Sequence, residues 1–117
     1  SRANDEVAVI VQAEHIEAVK HIHEIVSVKG IDAVLIGPYD LSTSMGKAGQ
    51  VTDPEVSAAI SQVQAACNAA AMPVGIFGMT PDAVRPYINA GYSLIAVGVD
   101  TVLLANAARQ IVQQLEQ

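Results

Sequence analysis

The stretch that decides the fold is residues 30–46, GIDAVLIGPYDLSTSMG. Six of the seven residues 31–37 are apolar or glycine, which is typical of a strand buried on both faces. That run ends at Gly37 and Pro38, because proline lacks a backbone donor and bends the chain. Just beyond it stand an acid and several hydroxyls, namely Tyr39, Asp40, Ser42, Thr43 and Ser44. A buried strand that delivers a carboxylate into a polar loop indicates an α/β enzyme.

Strand and helix patterns alternate along the rest of the chain. Near-continuous apolar runs predict strands at residues 7–11, 33–36, 73–77 and 94–99. Apolar residues at three- and four-residue spacing predict helices at residues 15–28, 54–71, 81–91 and 100–115, the third broken or kinked at Pro86. Residues 37–51 are expected to be irregular. This order predicts an α/β fold with a parallel sheet, either a small open doubly wound sheet or half of a (β/α)8 barrel.

Composition excludes several classes of protein. At 117 residues the chain is one domain at most, and 51% hydrophobic residues with a mean hydropathy of +0.36 are too apolar for disorder. The net charge of −6, with six scattered Lys and Arg residues, argues against a nucleic-acid partner. No apolar run reaches the length of a membrane span, so no membrane partner is expected. The single cysteine, Cys67, is expected to be a small buried thiol, and a cytoplasmic location is expected.

Two carboxylates are predicted to meet at one edge of the sheet. Glu14 and Asp40 follow neighbouring strands and stand 26 residues apart, the length of one βα unit. Two like charges at neighbouring strand ends repel each other unless a cation or a shared proton lies between them, and a hard divalent ion prefers oxygen ligands. The same residues also suit a second role, capping the helices that follow. The residue pattern leaves both roles open.

Three motifs carry a resemblance to a known family. They are VIVQAEHIEAV at residues 9–19, the stretch at residues 30–46, and IAVGVDTVLLANA at residues 95–107. Together they resemble the HpcH/HpaI-type class II, metal-dependent pyruvate aldolases, over residues 5–117. The family fold is a (β/α)8 TIM barrel of roughly twice this length. The resemblance implies that residues 1–117 are the C-terminal half-barrel of a single aldolase domain, strands five to eight with their helices, and that the N-terminal half is absent from this chain.

The resemblance also implies a role for each matching residue. Glu14 and Asp40 match the two carboxylates that hold a divalent ion, which is Mg, Mn or Co. Gln12 matches a glutamine that orients the bound keto acid. The backbone N–H groups of Tyr39 and Asp40 match those that hold the carboxylate of pyruvate. Relatives commonly carry alanine or asparagine where this chain has Tyr39, so tyrosine is expected to narrow or reshape the pocket.

The general base of the family, a histidine assisted by an aspartate, comes from the first half of the barrel, as does the arginine that binds pyruvate. No catalytic residue is therefore assigned in this chain. His15 adjoins Glu14, but strand alternation points it to the opposite side, and His21 and His23 lie within a predicted helix. The positions of Lys20, Lys29 and Lys47 do not suit a Schiff base.

The activity implied by the resemblance is reversible aldol cleavage of a 2-keto-3-deoxy or 4-hydroxy-2-oxo acid to pyruvate and an aldehyde, through a pyruvate enolate held on the metal ion. One alternative is a related metal-enolate enzyme that decarboxylates oxaloacetate or traps the enolate, as macrophomate synthase does. Another is an inactive half-barrel that serves in binding or assembly. Thr43 and Ser44 suit either contact with the aldehyde or closure of the loop. The family also implies a homo-oligomer, a hexamer that exchanges its C-terminal helix, here residues 102–115.

Overall fold

The computed structural model, which describes Arg2 and residues 6–116, contains one parallel sheet of four strands in the order β1-β2-β3-β4. The strands are β1 (Ile10–Ala13), β2 (Ala33–Ile36), β3 (Val74–Gly78) and β4 (Leu94–Val97). Each strand pairs in parallel with the next, and the shared register aligns Ala13, Ile36, Ile76 and Ile95 across the sheet. The predicted α/β class with a parallel sheet is confirmed.

The helices lie between and after these strands. They are α1 (Ile16–Lys20), α2 (Ile22–Ile25), α3 (Pro38–Ser44), α4 (Pro54–Ala69), α5 (Pro81–Asn89) and α6 (Asp100–Leu115). Asp53 caps α4 by accepting a hydrogen bond from the N–H of Glu55, and Thr80 caps α5 in the same manner through the N–H of Ala83. Within the described part of the chain, no helix has the length and hydropathy needed to cross a bilayer.

The first strand and the first helix differ from their predicted bounds. Residues 7–9 of the predicted strand lie outside β1, because pairing with β2 begins only where Ile10 faces Ala33, and β1 continues past residue 11 to Ala13. Val9 instead exchanges two hydrogen bonds with Asp32, one through the Asp32 carboxylate. The predicted helix at residues 15–28 is interrupted at His21, where φ is −100° and ψ is 15°.

One further prediction is wrong, and of the break or kink predicted at Pro86 the break is excluded. Residues 37–51 are not wholly irregular, because they contain α3, which buries Leu41 in the core. Pro86 does not break α5, which runs through it to Asn89. The carbonyl that loses its donor to Pro86 belongs to Asp82, an exposed residue in the first turn, so water can satisfy it.

The two faces of the sheet differ in burial. Val34, Ile36, Val74 and Ile76 face the helices and are at most 3% exposed, packed against the apolar side of α4. The opposite face carries half-buried or exposed side chains, namely Ile10, Gln12, Leu35, Phe77, Leu94 and Ala96. Purely parallel sheets normally have both faces covered. Within the described chain, however, no element covers this second face. The interior of a barrel would be exposed in the same way if half of the barrel were removed.

Helix α6 extends away from this core. None of its residues is buried, and its apolar residues Leu103, Leu104 and Leu115 are 59%, 74% and 82% exposed. The radius of gyration is 16.9 Å, against about 13 Å for a compact domain of this length. The apolar stripe of α6 is thus without a partner in the described part of the chain.

Candidate metal and keto-acid site

Gln12 and Glu14 lie together over the backbone of Gly37. The N–H of Gly37 donates to the carbonyl of Ala13 at 3.2 Å, which sets the end of β2 beside Glu14. A Cβ added to Gly37 would lie 3.0 Å from Nε2 of Gln12 and 3.1 Å from Cβ of Glu14. The same added atom would be 3.5 Å from Oε2 of Glu14. The missing side chain of Gly37 therefore leaves room for an amide and a carboxylate at the carboxyl end of the sheet.

Asp40 stands three residues beyond Gly37, in the first turn of α3. Its side chain is exposed, whereas Glu14 is half-buried. Among the described residues, the ion pairs involve other acids, and neither Glu14 nor Asp40 takes part in one. The structure thus places both predicted carboxylates at the carboxyl end of the sheet, and neither forms an ion pair with a described side chain.

The backbone donors of the site come from the start of α3. Leu41 is the first residue whose N–H bonds back, to the carbonyl of Gly37 at 3.0 Å. Pro38 has no N–H, and the N–H groups of Tyr39 and Asp40 precede the first helical hydrogen bond, so no carbonyl within the helix accepts from them. Such N–H groups readily bind carboxylates. The backbone N–H groups that the resemblance assigns to the substrate carboxylate therefore lie at the start of a helix, where an irregular loop was expected.

Three hydroxyls hold this segment in place. Ser42 is fully buried, donates to the carbonyl of Tyr39 at 2.7 Å and accepts from the N–H of Gly49 at 3.2 Å. Ser44 donates to the carbonyl of Leu41 at 2.7 Å and accepts from the N–H of Ile16 at 3.0 Å. Thr43 donates to the carbonyl of Tyr39 at 3.0 Å. Of the two roles left open for Thr43 and Ser44, the bond from Ile16 favours closure of the loop for Ser44, whereas Thr43 bonds only within its own helix.

The histidines lie outside this site. His15 caps α1, since its Nδ1 accepts from the N–H of Glu17 at 3.2 Å. His21 contacts Glu24 at 3.0 Å, and the hydrogen bond to that carboxylate raises the pKa of His21. Within residues 6–116, no cluster of three or more His, Cys, Asp or Glu side chains could hold a metal ion. A cation bound by Glu14 and Asp40 would therefore take its other ligands from water or substrate, as Mg²⁺ commonly does.

A pocket of about 110 Å³ lies beside the site, between α3, α5 and the end of β3. The rings of Tyr39 and Phe77 meet edge to face in its wall, with centroids 6.2 Å apart. It is lined by Pro38, Tyr39, Val51, Thr52, Phe77, Gly78, Ala83 and Tyr87. The sequence pattern did not predict this pocket, because its walls come from four separate segments.

The loop that follows α3 is held by an ion pair. Nζ of Lys47 lies 2.9 Å from both carboxylate oxygens of Asp53 and 3.3 Å from Oε1 of Glu55. The hydrogen bond between Lys47 and Asp53 raises the pKa of Lys47 and lowers the pKa of Asp53. The side chains of this pair are 23% and 18% exposed, so the loop is anchored close to the body of the protein.

Comparison with known proteins identifies the family. The model of the HpcH/HpaI aldolase/citrate lyase family matches residues 1–107. The chain belongs to this family. The resemblance inferred from the three motifs is thereby confirmed.

Individual relatives agree with this assignment. The 2-dehydro-3,6-dideoxy-6-sulfogluconate aldolase of Pseudomonas putida is 37% identical over 98% of this chain and 45% of its own length. The 4-hydroxy-2-oxo-heptane-1,7-dioate aldolase of Shigella sonnei is 44% identical over 94% of this chain and 42% of its own length. The HpcH/HpaI chain thus spans a little under half the length of these relatives.

A solved structure gives the architectural counterpart. The crystal structure of an HpcH/HpaI aldolase/citrate lyase family protein from Burkholderia cenocepacia superposes with a TM-score of 0.91 at 40% identity. The match covers 98% of this chain and 45% of that one. The four strands and their helices therefore match half of the TIM barrel of this HpcH/HpaI family.

Proposed function

We propose that residues 1–117 are the C-terminal half, strands five to eight, of a class II pyruvate aldolase barrel. The bare face of the sheet and the unpaired outer sides of β1 and β4 in the described chain support this placement, since a complementary half would cover all three. The observation that carries the functional proposal is the stacking of Gln12 and Glu14 over Gly37, next to the start of α3. In a TIM barrel this end of the strands is the catalytic end.

The proposed reaction is reversible cleavage of a 4-hydroxy-2-oxo or 2-keto-3-deoxy acid to pyruvate and an aldehyde. The names of the two curated relatives support it, because both are aldolases of acids with these features. Identities of 37% and 44% support a shared reaction class.

The donor set of the site fits a divalent ion. Glu14 and Asp40 offer carboxylate oxygens, and Gly37 leaves the space beside Glu14 open. Two carboxylates completed by water or substrate oxygens suit Mg, Mn or Co. Such an ion would supply Lewis-acid stabilisation of negative charge on a substrate oxygen. Glu14 and Asp40 are therefore the proposed metal ligands.

The remaining groups bind and orient the keto acid. The N–H groups of Tyr39 and Asp40 take the substrate carboxylate, since they have no acceptor within α3. The amide of Gln12 lies on the same side of the sheet as Glu14 and can donate to a substrate oxygen. His15 is engaged in capping α1, so the group that moves the proton is proposed to come from the other half of the barrel.

We also propose that the protein is a cytoplasmic homo-oligomer, a hexamer in which α6 is exchanged between subunits. The exposed apolar residues of α6 support association, because a helix with such a stripe normally packs against another element. The lone Cys67, fully buried, suits a compartment where disulfides are rare. The negative net charge supports a small-molecule substrate rather than a nucleic acid.

A metal titration tests the site. Mn²⁺ binding, followed by electron paramagnetic resonance of the free ion, is expected to weaken by at least about tenfold in Glu14→Gln and in Asp40→Asn, because each removes a charged ligand. The control is Glu24→Gln, which removes the same charge from the surface of α2. Binding that is equal in all four proteins would remove the basis of the proposal.

An activity measurement tests the reaction. The complete barrel, this chain together with its complementary half, is expected to release pyruvate from a 4-hydroxy-2-oxo acid, detected by coupled reduction to lactate. Excess chelator is expected to stop the release, and added Mn²⁺ to restore it. Pyruvate release that is unaffected by chelator would contradict the class II assignment.

A further inference from the structure

The pocket between α3 and α5 adjoins the proposed keto-acid site across one row of the sheet. Because Ile36 aligns with Ile76, Gly37 is beside Phe77, just as it is beside Glu14 on its other side. Strands lie about 4.8 Å apart, so Glu14 and Phe77 flank Gly37 at backbone distances on the order of 10 Å from each other. A keto acid held over Gly37 would therefore have Glu14 on one side and the aromatic wall of the pocket on the other.

The lining of this pocket is apolar and aromatic. Tyr39, Phe77 and Tyr87 supply three rings, and none of the described residues that line the pocket is charged. Burial raises the pKa of Tyr87, so its phenol stays neutral at physiological pH. An anionic group placed here would lose hydration without gaining a counter-charge, which is unfavourable. The volume of about 110 Å³ is similar to that of an apolar cavity of about 150 Å³ that binds benzene.

The walls of the pocket are already fixed. The ring of Tyr87 packs edge to face on the buried Tyr92, with centroids 5.2 Å apart. Gly78 lets α5 approach β3 so closely that an added Cβ would collide with Val84. The ion pair of Lys47 with Asp53 anchors the loop that carries the remaining wall. A ligand would consequently bind with little cost for ordering the site.

We propose that this pocket receives the apolar substituent of the aldehyde, so that the enzyme prefers compact uncharged aldehydes, aromatic or short and branched, to anionic ones. Tyr39 and Phe77 are then the residues that determine specificity, because their rings line the pocket on the side next to the keto-acid site. This assignment rests on the proposed aldolase function.

Binding of an unreactive analogue tests the pocket independently of catalysis. Benzyl alcohol is expected to bind the complete barrel, seen by ligand-detected NMR, since two of the three Tyr rings of this chain line the pocket. Its 4-carboxylated analogue is expected to bind at least about tenfold more weakly. Ala83→Leu and Thr52→Leu, on separate segments of the wall, are expected to abolish binding, and the exposed Ala58→Leu on α4 to leave it unchanged.

Activity with paired aldehydes then separates this inference from the proposed function. In condensation with pyruvate, kcat/KM for benzaldehyde is expected to exceed that for 4-carboxybenzaldehyde by at least about tenfold, and Ala83→Leu to bring the two near parity. Aldol activity without this preference, or benzyl alcohol binding that survives both leucine variants, would overturn the inference and leave the aldolase proposal standing. Absence of aldol activity with every aldehyde would overturn both.

Discussion

The backbone N–H of Ile16 donates a hydrogen bond of 3.0 Å to the hydroxyl of Ser44. This bond joins the first turn of α1 to the last residue of α3, two segments 28 residues apart in the chain. Glu14 lies just before α1, and Asp40 lies within α3. A side chain outside the proposed metal site therefore links the two segments that carry the proposed metal ligands.

Removal of this hydroxyl is expected to cost both stability and metal affinity. Ser44→Ala leaves the partly buried N–H of Ile16 without its acceptor, a loss of about 1–3 kcal/mol in the free energy of unfolding. Thr43→Ala is the matched control, because its exposed hydroxyl bonds only to a carbonyl in its own helix. Urea unfolding and Mn²⁺ titration measure the two effects. If Ser44→Ala behaved like Thr43→Ala in both, the joining role of Ser44 would be wrong.

A side chain at position 37 is expected to damage the site more than the fold. In Gly37→Ala the new Cβ would stand 3.0 Å from Nε2 of Gln12 and 3.1 Å from Cβ of Glu14, so both side chains must shift. Mn²⁺ affinity is expected to fall by about tenfold, the effect typical of changes next to metal ligands.

Gly30→Ala is the control, and it is expected to lower stability rather than Mn²⁺ affinity. Gly30 has φ of +92° and open space around it at the other end of β2, so alanine there is expected to cost about 1 kcal/mol of stability without changing Mn²⁺ affinity. Equal Mn²⁺ affinities in Gly37→Ala and Gly30→Ala would contradict the assignment of Gly37 to the site.

The ion pair of Lys47 and Asp53 predicts how stability depends on pH. The pKa of Asp53 is lowered from its ordinary 3.8. The contribution of Asp53 to the free energy of unfolding is therefore present above pH 3.8 and is lost as pH falls through the lowered pKa. The pKa of Lys47 is raised above 10.5, so its contribution is complete below pH 10.5 and is lost as pH rises through the raised value.

In Lys47→Met the acid loss of stability is therefore expected to be shallower than in the unmodified protein, measured by urea unfolding between about pH 5 and pH 2. Lys29→Met, at an exposed position before β2, serves as the charge-matched control. Parallel acid profiles for the unmodified protein and Lys47→Met would show that the pair contributes nothing measurable.

Charged residues on α6 are expected to reduce association without unfolding the chain. Leu104 and Leu115 are 74% and 82% exposed, so Leu104→Glu and Leu115→Glu remove no contact from the core. Light scattering is expected to show smaller particles, while circular dichroism stays unchanged. Gln113→Glu adds the same charge to the same helix and is the control. An unmodified protein that is monomeric, or variants of unchanged size, would contradict the proposed role of α6.

The parts of the fold that were predicted correctly depend on local patterns. The apolar run at residues 33–36 is β2, and the start of α4 follows from Asp53 as cap and Pro54 in the first turn. The parts that were missed depend on distant partners. The apolar residues 7–9 have the pattern of a strand, yet no strand pairs with them. The sequence of α3 has the pattern of a loop. The segment is helical because Leu41 is buried in the core and Ser42 forms hydrogen bonds that the sequence pattern does not reveal.

Some features of the candidate site could likewise be predicted from local sequence, and others could not. Proximity of Glu14 and Asp40 to one end of the sheet follows from their spacing in a βα repeat. The space at Gly37 and the bond from Ile16 to Ser44 come from the register of β1 with β2, which no single segment encodes. Their roles as metal ligands stay a prediction that the Mn²⁺ titration decides.

The sheet order β1-β2-β3-β4 leaves one row of backbone donors and acceptors unpaired on the outer side of both β1 and β4 in the described chain. Each row is a template on which another extended segment can pair. A net charge of −6 offers only diffuse repulsion against such pairing. Whether the protein stays in solution or aggregates therefore depends on what covers these two edges more than on its surface charge.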